Sequence, residues 1–160
     1  MLLGMNQYLI KRAELERMPE SVVRHQFNDN AVRHTKTVSS LMGLSRLGLH
    51  WVRIEPGHDS TAHHCHEADE EFIYILSGSG TARINDEYFA VGAGDIMAFP
   101  APGPAHSLHN SGDTDLVYLV GGERHLPDVV HYPVLERSMV KTQKRRSYAD
   151  WQDIREAPPR

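Results

Sequence analysis

The sequence has a single cysteine, Cys65, so no disulfide can form within one chain. That sparing use of thiols fits a reducing compartment. Long apolar runs are also missing, and no stretch approaches the ~20 residues that a membrane-spanning helix needs. The opening segment "MLLGMNQYLIKRAEL" has too short an apolar run for a secretory leader and lacks a small-residue cleavage site. A soluble, cytoplasmic protein with no membrane partner is expected. Charge is not one-sided: 17 Lys and Arg stand against 21 Asp and Glu, a net of -4, too small to argue for a nucleic-acid partner. The one basic run, "KTQKRR" from Lys141 to Arg146, reads as a solvated tail, with an anion contact as the other reading. Internal repeats, low-complexity segments and a helix-turn-helix pattern are lacking, which argues against a one-chain transcription factor.

Histidine is plentiful, with 11 in 160 residues. His58, His63, His64 and His66 lie together, and His106 and His109 form a second pair. His25, His34, His50, His125 and His131 are scattered and read as surface or structural residues. The chain length fits one domain with one core.

Three zones are expected within that one domain. Residues 1–46 form a polar N-terminal extension, with a short helix in "RAELERMP" that Pro19 ends. Residues 47–121 form the core. Residues 122–160 form a polar tail with a strand-like "DVVHYPV" and a short helix near "YADWQDI". The core reads as β throughout. "LHWVRIEPG" alternates and stops at Pro56-Gly57, and "EFIYILSG" stops at Gly78. "TARIN" and "YFAV" flank a hairpin signal at Asn85-Asp86-Glu87. "HSLHN" and "LVYLV" flank the turn cluster "SGDTD". Short strands at this spacing imply an all-β sandwich or barrel, not a parallel α/β fold.

Two spaced motifs run through this core. The first reads Gly57, His64-Cys65-His66, Glu71, Gly78; the second reads Gly94, Pro100, Gly103, His106, Asn110. Together they resemble the paired motifs of the cupin superfamily. The resemblance covers roughly residues 47–121, and the order and internal spacing make it far more specific than a lone His-x-His. Two loops are one residue longer than the usual pattern, after Gly57 and between Pro100 and Gly103. The resemblance implies an antiparallel jelly-roll β-barrel, a homodimer, and a ligand set of His64, His66, Glu71 and His106 for one divalent transition metal: Mn, Fe, Ni, Co or Zn.

Alternation along a strand puts His64 and His66 on one face and Cys65 on the other. A one-residue slip would substitute His63, Cys65 and Glu70. The six residues between Glu71 and Gly78, as in the family pattern, favour the first set. Cys65 then reads as packed rather than catalytic, and His109 as facing away from the ligands. Asn110 is expected to support the ligands indirectly or to stabilise its turn. Trp51, Tyr74, Met97 and Phe99 read as barrel packing or dimer surface. Arg53 and Arg83 are the basic residues within the expected barrel strands; both read as surface residues, though either could meet an anionic substrate if it pointed inward.

The resemblance to the metal-bearing domain of phosphomannose isomerases implies a sugar or sugar-phosphate isomerase. A non-heme metal-dependent dioxygenase and a non-enzymatic module for a small sugar or organic acid are the alternatives, because one fold hosts many functions. No general base is assigned. The expected core has no lysine, so a phosphate would fall to Arg53, Arg83 or the chain ends.

Overall fold

The computed structural model describes residues 8–155 and 157. Its strands are β1 (Ser21–His25), β2 (Asn28–Thr37), β3 (Leu47–Ile54), β4 (Cys65–His66), β5 (Glu71–Ser77), β6 (Ser79–Ile84), β7 (Glu87–Gly92), β8 (Ile96–Phe99), β9 (His106–His109), β10 (Leu116–Glu123), β11 (Asp128–Tyr132), β12 (Arg137–Lys141) and β13 (Arg146–Asp150). Two short helices, α1 (Arg12–Arg17) and α2 (Val38–Leu41), flank the N-terminal strands. The chain stops being helical at Met18, before Pro19, because the residue before proline is pushed to extended backbone. Of "YADWQDI", Tyr148 to Asp150 belong to β13, and only Trp151–Asp153 turn as a short 3₁₀ helix.

All pairings among the described residues are antiparallel. One sheet has the order β1-β2-β3-β10-β5-β8, a second β13-β12-β11-β4 and a third β7-β6-β9. Reciprocal backbone hydrogen bonds between His64 and His106, 3.2 and 2.8 Å long, join the second and third sheets. The result is a six-stranded wall facing a composite wall. The zones outside residues 47–121 therefore supply β1 and β2 to the six-stranded wall and β11, β12 and β13 to the composite one.

The core follows from alternation. On β5 the inward Ile73 and Ile75 are buried, while Phe72, Tyr74 and Leu76 on the opposite face are 41%, 38% and 39% exposed. The inward pair packs with Val52, Ile54, Phe99, Leu108, Leu116 and Tyr118. A second cluster of Ala62, Val130, Tyr132 and Met139 lies under the composite wall.

Turn chemistry fixes the register. Ile84 pairs with Glu87 around Asn85-Asp86, and Asn85 sits in the left-handed region at φ +50°, as a two-residue hairpin requires. Gly78, at φ +80°, separates β5 from β6. A Cβ there would lie 2.3 Å from the Asp115 carbonyl oxygen, so only glycine fits. Asn110 is fully buried; its Nδ2 donates to the Ile54 and Thr114 carbonyls at 2.8 and 2.9 Å, and its Oδ1 accepts from the Gly112 amide. Those three bonds fasten the β9–β10 turn to the end of β3.

Candidate metal centre

The two-residue β4 and the bridge at His64 present His64 and His66 to the barrel interior. Glu71 opens β5 and His106 opens β9. The Nε2 atoms of His64, His66 and His106 lie 3.7, 3.6 and 3.1 Å from one oxygen, Glu71 Oε2. Donors of His64, His66 and Glu71 all fall within 4.8 Å of one another. His106 joins them through Glu71. For a metal–donor distance of about 2.1 Å, neighbouring donors lie about 3.0 Å apart in an octahedron and about 3.4 Å in a tetrahedron. The observed separations are close to both.

The other ring nitrogen of each histidine is already engaged. His64 Nδ1 donates to the Ala62 carbonyl at 3.0 Å, and His106 Nδ1 donates to the Pro104 carbonyl at 3.2 Å. A carbonyl can only accept, so Nδ1 must carry the hydrogen, and in a neutral ring the Nε2 lone pair faces the centre. His66 Nδ1 lies 2.8 Å from Asp128 Oδ2, a carboxylate that orients the ring in the same way. Phe99 stacks flat on His106, with ring centroids 3.6 Å apart and an interplanar angle of 3°. The donor set thus has three oriented imidazoles and one carboxylate, a chemistry suited to a divalent transition metal.

Glu71 is kept ionised. Burial works to raise its pKa, but the adjoining rings of His106, His64 and His66, in their protonated forms, outweigh it and hold the carboxyl well below the usual carboxylate range.

The slipped set is not gathered. His63 Nδ1 meets Ser107 Oγ at 3.2 Å and lines a separate cavity with His109, Asp59, Arg83 and Tyr88. His109 is bound there to Asp59 at 2.7 Å. The Glu70 carbonyl accepts from the Glu123 amide, and burial pushes the Cys65 thiol pKa up, against the thiolate that metal binding needs.

Sequence reasoning missed the layer behind the histidines. Asp128, at the start of β11, also accepts from the Ala68 amide at 3.0 Å. Lys141 Nζ lies 2.7 Å from both Asp128 Oδ2 and Asp69 Oδ2. His66, Asp69 and Asp128 form a second potential cation-binding group, but the Lys141 ammonium already serves as its cation. Lys141 is therefore part of the site and not of a solvated tail. Asp128, Val130 and Tyr132 alternate as buried positions along β11, which was the available signal: a carboxylate in register with an apolar face.

The basic lining differs from expectation as well. Arg53 is held outside the cavity by Glu20 at 2.9 Å and Asp115 at 3.0 Å, and Arg83 lines the other cavity. The cavity of about 450 Å³ that contains His64, His66, Glu71 and His106 is instead lined by Arg24, Arg33, Lys141 and Arg146, from strands outside both motifs. His25 also lines it, so that histidine is no surface residue. Phe99 is buried packing, and Trp51 lies under Lys36 Nζ at 4.4 Å.

Comparison with known proteins agrees with this architecture. Residues 50–122 match the family described as Cupin domain. A solved structure from Acidithiobacillus ferrooxidans, provisionally assigned as a sugar phosphate isomerase, is 35% identical; the match covers 96% of this chain and 98% of that one, with a TM-score of 0.93. A Silicibacter pomeroyi sugar phosphate isomerase of the cupin superfamily is 24% identical over 87% of this chain and 92% of that one, with a TM-score of 0.78, a likeness of fold. The Oxalate-binding protein of Thermotoga maritima is 38% identical over 68 residues, 42% of this chain and 54% of that protein. The chain thus spans about half the length of the curated relatives it matches. With the barrel, both motifs and a near full-length relative in agreement, the chain belongs to the cupin superfamily.

Proposed function

We propose that this protein binds one divalent transition metal, among Mn, Fe, Ni, Co and Zn, through His64, His66, Glu71 and His106, and acts on a small sugar or sugar phosphate as an isomerase. One observation carries the reading: three imidazole Nε2 atoms converge on one oxygen of Glu71 while every Nδ1 is engaged by an acceptor. The likeness to the Acidithiobacillus ferrooxidans protein over nearly the whole chain supports the substrate class. A metal bound there supplies Lewis acidity toward a carbonyl or hydroxyl oxygen. The protein contributes the rest. Asp128 and the Ala62 and Pro104 carbonyls hold the rings in one tautomer. Ile73, Val120 and Val130 give the cavity an apolar lining around the polar centre.

Metal analysis of the wild type and of His66→Ala tests the site. The wild type is expected to carry about one metal per chain and the variant to lose most of it; full occupancy in the variant sinks the assignment. Exchange of the proton on the carbon beside a sugar carbonyl, followed by NMR in deuterated water, tests the reaction. The likeness to an Oxalate-binding protein favours a second reading, in which the same centre holds a small organic acid without turnover. Saturable, ligand-induced stabilisation with no proton exchange selects it.

A further inference from the structure

Among the described residues, the walls of the metal cavity carry four basic side chains and a single carboxylate, Glu71. Three imidazoles surround that carboxylate. Two of the cations are also engaged: Arg24 donates to the Asp29 carbonyl, and Lys141 is paired with Asp69 and Asp128. Arg33 and Arg146 have no acidic partner among the described residues.

Arg33 is aimed inward by the register of its strand. Thr35 pairs with Val52, a core residue, so Thr35, Arg33 and Ala31 share the interior face of β2, and Ala31 is fully buried there. Val23, the partner of Arg33 on β1, lines the same cavity. After burial, which dominates the titration of His25, His50, Tyr118 and Tyr132, the Arg33 charge acts on all four, consistent with a central position. Arg146 pairs with Lys141 across β12 and β13 and approaches from the opposite wall.

A guanidinium stays charged at any physiological pH, and a half-buried one without a counter-ion carries an unrecovered desolvation cost. Its planar fork matches a carboxylate or a phosphate through two parallel hydrogen bonds. We infer that Arg33, with Arg146 as a second charge, captures the anionic group of the small molecule whose other end reaches the metal centre, so that the ligand is a hydroxylated oxyanion and not a neutral sugar. This rests on the metal reading above and extends it to the substrate class.

The test is calorimetric titration of metal-loaded wild type, Arg33→Met, Arg33→Lys and, as a control from the other cavity, Arg83→Met. The probes are glycerol 3-phosphate, glycerate and uncharged glycerol. Loss of a charged, bidentate contact is expected to weaken anion binding about 10- to 100-fold in Arg33→Met. Arg33→Lys should fall in between, with Arg83→Met, glycerol binding and metal content unchanged. The anion that loses more identifies the group as phosphate or carboxylate. Unchanged anion affinity in Arg33→Met overturns the inference. So does an equal loss for glycerol, a loss of metal, or no saturable anion binding by the wild type. If Arg33→Met does not fold, Arg33→Lys decides: affinity equal to wild type overturns the inference, and a several-fold loss supports it. His66→Ala separates the two readings. Arg33-dependent anion binding that persists when the wild type holds no metal removes the metal reading and leaves this one standing.

Discussion

Asp128 links the histidine layer to the C-terminal strands through a single buried carboxylate. Burial alone would raise its pKa, yet the hydrogen bonds to Lys141 and His66 bring it down to about 2. Asp128→Asn keeps the shape and removes the charge. We expect metal affinity about 10- to 100-fold weaker, read by competition with a chelator. A second residue-scale prediction concerns pH. Burial, then the charges of Arg33 and His64, lower the His25 pKa from 6.5 to about 4. The native state therefore favours the neutral ring, while the unfolded chain protonates near 6.5. The contribution of His25 to stability is complete above the unfolded value and is lost as pH falls through the window down to about 4. Urea midpoints measured at neutral pH and inside that window should fall for wild type and fall less for His25→Gln; equal declines would refute the assignment.

At the level of elements, β10 shapes the centre by what it omits. Gly122 pairs with Glu71, and a Cβ on it would lie 2.9 Å from Glu71 Cγ and 3.1 Å from the Glu70 carbonyl oxygen. Gly122→Ala must push the carboxylate from its place, at a cost of about 1–3 kcal/mol. Reduced metal content with a modest fall in Tm is the expected outcome, checked by elemental analysis and calorimetry. The strands of the middle zone were legible because β-branched runs alternate there and glycine or Asn-Asp punctuates them. His64, His66, Glu71 and His106 were readable as neighbours for the same reason: period two and the Gly78 turn decide which face each side chain takes. The flanking strands were not readable. "AVRHTKT" in β2 buries Ala31 and points Arg33 inward with almost no apolar contrast between its faces. Lys141 looked solvated because neither partner is visible locally: Asp69 comes from a distant part of the chain, and Asp128 meets it only through the β11–β12 pairing.

Across the whole molecule, β1 and β2 share a sheet with the central strands, and β11 carries β12 and β13 onto β4. We propose that the three zones of the sequence unfold as one unit. Trp51 lies in β3, while Trp151 follows β13 and donates from Nε1 to Ser138 Oγ at 2.8 Å. Fluorescence of Trp51→Phe and Trp151→Phe, each reporting one end of the fold, should give coincident urea transitions; separate midpoints would show that the zones are independent. The outer face of the large sheet exposes Phe72, Tyr74, Leu76 and Ile96, a patch that suits the homodimer implied by the family resemblance. Light scattering should give the mass of a dimer for wild type and of a monomer for Ile96→Glu; a monomeric wild type removes the proposal.

The chain has one cysteine and cannot tie itself covalently. An ion held by His64, His66, Glu71 and His106 would connect β4, β5 and β9, and through Asp128 and Lys141 it would reach β11 and β12. Such an ion closes chain loops across both walls, much as a disulfide does, but reversibly and under the control of metal supply. Its removal would then be felt far from the cavity, as faster unfolding and earlier proteolytic nicking of the C-terminal strands.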